Sequence, residues 1–170
     1  PTVTLTPSGT AGDNGWFTSA VTVDTTGTDA LSTSIDADCT ANQVIPGDTT
    51  GTVVAGSCKD LAGNTSGTSI VVKVDTTDPV ATMTVTGGSL GDNGWYTSDV
   101  SVSTTGTDNV SEPVTCVPAT DLLNVESASH LFSSTCTNRA GLTDTASLNV
   151  KLDKTPPTMS VAFISGAPNG

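Results

Sequence analysis

Basic side chains are scarce in this sequence, and their scarcity excludes several classes of partner. Among 170 residues there are only 5 lysines and arginines against 17 aspartates and glutamates, so the net charge at pH 7 is −12. Binding to nucleic acid requires clustered lysines and arginines, and anionic membrane surfaces attract the same side chains. We therefore expect neither as a partner, whereas cations remain compatible with the charge.

Long apolar stretches and helix-forming residues are also missing. No run approaches the roughly 18 consecutive apolar residues of a membrane span, and no basic segment followed by an apolar stretch opens the sequence. We expect no direct membrane insertion, and we expect any export signal or anchor to lie outside these residues. Threonine, serine and valine dominate instead, which favours strands over helices.

Residues suited to catalysis are few. The sequence has one histidine, His130, and two glutamates, Glu112 and Glu126, and none of the three recurs in a repeated position. A serine or cysteine nucleophile needs a base oriented by a third group, and glycosidases need paired carboxylates. Neither pattern is present, so the sequence predicts that the chain is not an enzyme.

An internal repeat is the strongest feature. The segment Gly-Asp-Asn-Gly-Trp-Phe-Thr-Ser at residues 12–19 returns at residues 91–98 with a single change, and residues 72–79 match residues 150–157. These matches predict one repeat over residues 1–78, a second over 79–156, and the first strand of a truncated third over 157–170. Both ends are therefore expected to be interior points of a longer protein.

Each repeat alternates small polar with apolar residues between turn sequences such as Asp-Asn-Gly and Pro-Gly-Asp. This pattern predicts five to seven short strands per repeat, and in the first repeat they are expected at residues 2–6, 16–23, 32–38, 52–58 and 69–74. The predicted fold is all-β, with tandem immunoglobulin-like β-sandwich domains and one disulfide in each.

The four cysteines fall two to a repeat, at Cys39 and Cys58 and at Cys116 and Cys136. The spacing does not fit the Cys-x-x-Cys pairs of zinc sites. Of the three possible pairings, equal placement in each repeat favours Cys39 with Cys58 and Cys116 with Cys136. Disulfides imply an oxidising compartment, so we expect an extracellular location, either secreted or on the cell surface.

Three stretches resemble a known family. They are the run Gly-Trp-[Phe/Tyr]-Thr-Ser-x-Val-x-Val, the stretch Cys-Lys-Asp-Leu-Ala-Gly-Asn at residues 58–64, and the linker Val-Asp-Thr-Thr-Asp-Pro at residues 74–79. Together they resemble the Ig-like repeats of bacterial and archaeal surface proteins, of the OmpL47-type and HYR-like kinds. The resemblance implies modules that form arrays on adhesins, surface-layer proteins and exoenzymes, where they serve as stalks, spacers or binding domains.

Trp16 and Trp95 occupy the same place in the two repeats. Because aromatic residues make up only 4% of the sequence, each sandwich is expected to use its one tryptophan in the structural core. The alternative is an exposed platform on which a sugar ring stacks.

Four acidic residues are candidate calcium ligands, namely Asp29, Asp60, Asp75 and Asp78. Carboxylates are hard oxygen ligands that Ca²⁺ prefers, and a site between domains would draw on turns and linker together. Asn138 replaces Asp60 in the second repeat and Pro156 replaces Asp78, which would weaken such a site there. The default interpretation is solvated turn residues with no cofactor.

The sequence thus predicts a non-catalytic structural segment, a stalk or filament, whose partners are neighbouring repeats and other copies of the protein. The alternative is an adhesin or accessory module that binds carbohydrate or a surface receptor. Divergent loops would supply that binding, and the least repeat-like stretch is residues 117–132.

Overall fold

The protein folds as two successive β-sandwiches, which confirms the predicted fold class. The computed structural model describes residues 1–31 and 38–162. Within these residues no strand from the first sandwich pairs with a strand of the second. The predicted boundary at residues 78 and 79 lies in the connection between the sixth and seventh strands.

In the described part of the first sandwich, each of the two facing sheets contains three strands. One sheet has the order β1 (Thr2–Ser8), β3 (Val21–Thr28), β4 (Gln43–Ile45). The other has the order β2 (Trp16–Phe17), β6 (Thr65–Val74), β5 (Thr49–Lys59). All pairs are antiparallel except β2 with β6. The predicted strand at 32–38 lies almost wholly outside the described residues.

The second sandwich repeats this plan and has one short strand more than the described part of the first. One sheet has the order β11 (Thr120–Leu123), β9 (Val100–Thr107), β7 (Val80–Gly87). The other has the order β10 (Thr115–Val117), β12 (Ser127–Thr137), β13 (Thr143–Leu152), β8 (Trp95–Tyr96). The short strand β8 pairs in parallel with β13, as β2 does with β6.

The strand predicted over residues 16–23 is in fact two strands in different sheets. Trp16–Phe17 pairs with β6, whereas Val21–Thr28 pairs with β1 in the opposite sheet. The chain crosses from one sheet to the other at residues 18–20, and Thr18 donates its N–H to the carbonyl of Thr10 there. An alternating pattern does not reveal such a crossing, because both strands keep the same period of two.

Each sandwich has its own apolar core, built from inward-facing residues of both sheets. The first core contains Leu5, Val21, Val23, Ile45, Val54, Val72 and Val74. The second contains Val100, Val102, Leu123, Phe132, Val150 and Leu152, with Met83 packed against it. These positions correspond one to one at an offset of 78 or 79 residues, so the repeat in sequence is a repeat of core positions.

Strand register gives residues 127–132, which belong to the least repeat-like stretch of the sequence, a counterpart in the first repeat. In β12, Ser127 and His130 pair with Leu152 and Val150 on either side of a bulge. In β5, Thr49 and Thr52 pair with Val74 and Val72 on either side of an equivalent bulge. The two strands are therefore equivalent along their whole length, although their sequences differ.

The two predicted disulfides are present, and each lies within a sheet edge. Cys39 faces Cys58 of β5 in an isolated antiparallel bridge, with Cα atoms 4.0 Å apart. Cys116 of β10 faces Cys136 of β12, with Cα atoms 3.9 Å apart. Each bond ties the strand segment at the edge to the long strand β5 or β12. It does not join the two sheets of the sandwich.

The segment that follows β13 has no strand pairing as far as residue 162. In both sandwiches the equivalent segment, β1 or β7, becomes a strand by pairing with β3 or β9. None of the described strands offers residues 157–162 such a partner, so the third-repeat strand stays a prediction. Among the described residues, no helix is long and apolar enough to cross a membrane.

Candidate functional site: the joint between the two repeats

The two sandwiches meet end to end in a hydrogen-bonded contact that we call the joint. The first repeat contributes the receiving face, formed by residues 12–14 and 75–77. The second contributes the docking loops, formed by residues 108–111 and 138–141. Hydrogen bonds connect the face and the loops at several points.

The receiving face is shaped by a tight turn before Trp16. Asn14 and Gly15 adopt φ angles of 53° and 75°, a region that asparagine and glycine tolerate best. The Trp16 N–H closes the turn on the carbonyl of Asp13 at 3.0 Å. Lys73 donates to the Asn14 carbonyl at 3.3 Å and lies 5.2 Å from the Trp16 ring centroid, which holds the turn against β6.

The centre of the joint is a buried carboxylate. Asp75 has 0% of its surface exposed and lies directly after β6. Its Oδ1 accepts the N–H of Thr77 at 3.1 Å, and its Oδ2 accepts the Asn138 amide at 3.0 Å and the Ser111 hydroxyl. A buried carboxyl group without hydrogen-bond partners is costly, so the donors Ser111 and Asn138 of the second repeat make burial of Asp75 possible.

Asn138 organises the docking loops as well as reaching across the joint. Its Oδ1 accepts the N–H groups of Ala140 at 3.1 Å and Leu142 at 2.9 Å. Its Nδ2 also donates to Asp108 at 3.1 Å. The side chain exposes only 5% of its surface, so every polar atom of the amide is used within the protein.

Asp108 is held in its charged form by the docking loops. Burial raises the pKa of this carboxyl, but hydrogen bonds from the N–H groups of Ser111 and Val110 and from Asn138 outweigh burial and leave the pKa below its usual value. The N–H bonds are both 2.7 Å long. Asp108 thereby fixes the turn that presents Ser111 to the receiving face.

Two further hydrogen bonds join the first repeat to backbone carbonyls of the second. The N–H of Asp13 donates to the carbonyl of Ala140 at 2.9 Å, and the side-chain amide of Asn14 donates to the carbonyl of Arg139 at 3.0 Å. The approach is close enough to require glycine, since a Cβ on Gly12 would lie 2.4 Å from the Ala140 oxygen. The joint is therefore a packed interface with no room for an added methyl group there.

The connection between the repeats is clamped by Asp48. Its carboxylate accepts the N–H and hydroxyl of Thr76, both at 2.7 Å, and the hydroxyl of Thr77 at 2.9 Å. The side-chain bond from Thr76 is the main reason that the pKa of Asp48 lies below its usual value. Pro79, which follows, is buried and has a fixed φ. The connection therefore has little freedom to swing.

The second repeat carries the same receiving face at its far end, over residues 91–93 and 153–155. Asn93 and Gly94 have φ angles of 52° and 74°, and Lys151 donates to the Asn93 carbonyl at 2.8 Å. Glu126 takes the place of Asp48 and accepts the N–H of Lys154 and the hydroxyl of Thr155. This second receiving face is exposed and borders a cleft of about 400 Å³.

The two tryptophans differ in exposure, and among the described residues docking loops are seated on the first receiving face and not on the second. Trp16 exposes 6% of its surface, whereas Trp95 is half-buried and lines the open cleft. Lys151 lies 5.2 Å from the Trp95 ring, as Lys73 does from Trp16. Trp16 is buried as predicted, although it lies beside the receiving face and outside the apolar cluster. The prediction that Trp95 is a core residue needs correction, because Trp95 is only half-buried.

The four candidate calcium ligands do not come together. Asp29 and Asp60 lie at one end of the first sandwich, where Asp29 pairs with the amino terminus at 3.1 Å. Asp75 lies at the other end, since β5 and β6 run the length of the sandwich between them. Asp78 is exposed in the connection. Within residues 1–31 and 38–162, no group of three or more histidine, cysteine or acidic side chains could hold a metal ion.

His130 lies on β12, half-buried, with its ring edge-on to Phe132 at a centroid distance of 4.7 Å. In register it replaces Thr52 of the first repeat.

Sequence reasoning missed Ser111, Asn138 and Asp48 as residues of the joint. The signal for Asn138 was present, since it replaces Asp60 within an otherwise repeated segment. That change was interpreted as the loss of a calcium ligand. The structure assigns it instead to a hydrogen bond across the joint.

Comparison with known proteins identifies no family for this chain. No family model and no curated protein matches the sequence. Among solved structures, the chain is similar to the subject of "Structures of Clostridium thermocellum CbhA fibronectin(III)-like modules", with 12% identity, a TM-score of 0.39 and coverage of 94% of this chain and 100% of that one. The resemblance to the OmpL47-type and HYR-like kinds therefore stays a prediction.

Proposed function

We propose that this chain is a non-catalytic structural segment, part of a stalk or filament, of a secreted cell-surface protein built from tandem Ig-like repeats. The joint supports this most strongly. A carboxylate buried between two repeats, with donors from both, favours one relative orientation over many. A protein that projects or assembles something at a surface needs such fixed joints, whereas independent binding domains do not.

The disulfides support an extracellular location, and the net charge is compatible with a soluble array. Each small sandwich has a disulfide, which persists only in an oxidising compartment and stabilises a domain of this size by about 3 kcal/mol. The strongly acidic composition also keeps a long array soluble.

Small-angle X-ray scattering on the 170-residue chain tests the proposal. Two sandwiches with a fixed joint should give an elongated particle about 70 to 90 Å long, from strand lengths plus loops. Asn138→Ala should broaden the distribution of inter-repeat angles, because Asp75 loses a donor. Asp60→Ala, at the equivalent position of the first repeat, should leave the particle unchanged. A flexible parent chain would contradict the proposal.

A second candidate function, carbohydrate binding, is favoured by the half-exposed Trp95 ring beside an open cleft. Lys151 covers part of the ring, so a sugar would have limited access to it. Glycan-array binding by the chain that is lost on Trp95→Ala, with the fold retained, would favour this function over the structural one.

A further inference from the structure

We infer that the receiving face of the second repeat is a preformed docking site for a further Ig-like repeat, and that it selects repeats with asparagine at the position of Asn138. This inference rests on the proposed function and names the partner of that site. It starts from the internal joint, where an equivalent face is already occupied.

The two receiving faces have matching hydrogen bonds. The N–H of Asp153 donates to Tyr96 at 3.0 Å, as Asp75 does to Phe17 at 2.9 Å. The Asp153 Oδ1 accepts the N–H of Thr155 at 3.0 Å, as in the Asp75 turn. The second face thus has its bound geometry without a docked repeat, so docking would require little reordering.

The groups that the first face uses for docking are exposed on the second. In the joint, the Asp13 N–H, the Asn14 amide and the Asp75 carboxylate bond to the second repeat. Their counterparts are Asp92, Asn93 and Asp153, and all three are exposed. Pro79 is buried in the joint, whereas its counterpart Pro157 is exposed beside the cleft.

Selectivity follows from a difference between the docking loops of the two repeats. Asn138 uses Oδ1 within its own loop and directs Nδ2 at the carboxylate of the preceding repeat. In the first repeat, Asp60 also binds its own loop, but its Oδ2 accepts the Asn64 amide at 3.0 Å. Asp60 offers no donor, and against Asp153 it would bring two carboxylates together. Like charges that approach without a donor between them repel strongly when buried.

A three-repeat chain tests the inference. The test protein consists of residues 1–156 followed by a second copy of residues 79–162. Pro156 is then followed by Pro79, which keeps the Pro-Pro sequence that the parent chain has at residues 156 and 157. Trp16 and the added tryptophan are changed to phenylalanine, leaving Trp95 as the only reporter. The quenching of Trp95 fluorescence by acrylamide should be as weak as the quenching of Trp16. The Trp16 value is measured in the parent chain with Trp95→Phe. The Asp92 amide should become protected from hydrogen exchange, as the Asp13 amide is in the parent.

The control carries Asn138→Asp only in the added repeat, and Trp95 should then stay as accessible as in the Trp16→Phe parent. The same change in the parent chain should expose Trp16, which tests selectivity without any added repeat. The inference would be overturned if Trp95 stayed exposed next to an added repeat that keeps Asn138. It would also be overturned if added repeats with and without Asn138→Asp protected Trp95 equally. Because the internal joint is measured separately by scattering, failure here leaves the proposed function standing.

Discussion

Asn138 donates its side-chain amide to the buried carboxylate of Asp75 at 3.0 Å, across 63 residues of sequence and between two separate sandwiches. In an isolated first repeat, Asp75 would lose the hydrogen bonds from Asn138 and Ser111, so its carboxylate could not be buried in this way. The pair therefore makes the fixed joint a property of two repeats together.

Gly12→Ala should open the joint, whereas Gly91→Ala should not. The two glycines hold equivalent positions, but only a Cβ at Gly12 would meet the backbone oxygen of Ala140, at 2.4 Å. Overpacking of this kind costs about 1 to 3 kcal/mol. Hydrogen exchange of the Asp13 amide and scattering measure the effect. Equal behaviour of the two variants would show that the loop tolerates the methyl group.

Trp16→Ala should lower the free energy of unfolding more than Trp95→Ala. Trp16 is buried at the joint, so its truncation should cost about 3 kcal/mol or more, whereas the half-buried Trp95 should cost roughly half as much. Urea denaturation followed by circular dichroism compares the variants. If both lose the same stability, the joint contributes little to the burial of Trp16.

Acid should loosen the connection and the joint. Hydrogen bonds hold the pKa values of Asp48 and Asp108 below the usual 3.8, so their stabilisation is present above that pH and is lost as the pH falls through the lowered values. Thermal melts between pH 7 and pH 2 should show stability falling below about pH 4. Asp48→Asn should reduce that pH dependence. If the melting temperature of this variant changed with pH as it does in the parent, Asp48 would not stabilise the connection.

Chelation should leave the joint intact. The carboxylates of Asp75 and Asp108 receive hydrogen bonds from Thr77, Ser111 and Asn138, which occupy the oxygen lone pairs that a calcium ion would need. Scattering profiles and melting temperatures with EDTA and with added calcium should coincide. If the chain became flexible only after chelation, the acidic residues would be calcium ligands after all.

Peptide mapping without reduction should recover the pairs Cys39 with Cys58 and Cys116 with Cys136, and no other. Replacing Cys39 and Cys58 with alanine should destabilise the first repeat by about 3 kcal/mol, since the bond closes a loop of about 20 residues. The second repeat, with its own bond, serves as the internal control. Alkylatable thiols in the native protein would contradict both the pairing and the oxidising location.

Local patterns in the sequence predicted the fold because the sandwich core is itself periodic. Alternation placed most strands, and the offset of 78 or 79 residues matched core positions such as Val21 with Val100. The crossing of the chain after Phe17 escaped prediction, since residues on either side keep the same alternation. The equivalence of His130 and Thr52 escaped it as well, because register depends on backbone pairing and both side chains suit a strand.

The sequence by itself determined the all-β class, the repeat, the disulfide pairs and the turn at Asn14, because each depends on residues close in sequence or on equal spacing. Only the tertiary structure decided that Asp75, Ser111 and Asn138 form one site. Hydrogen bonds between groups that are 36 and 63 residues apart depend on how one sandwich is placed on the next. That placement is fixed by burial and donor geometry in three dimensions, which no local pattern records.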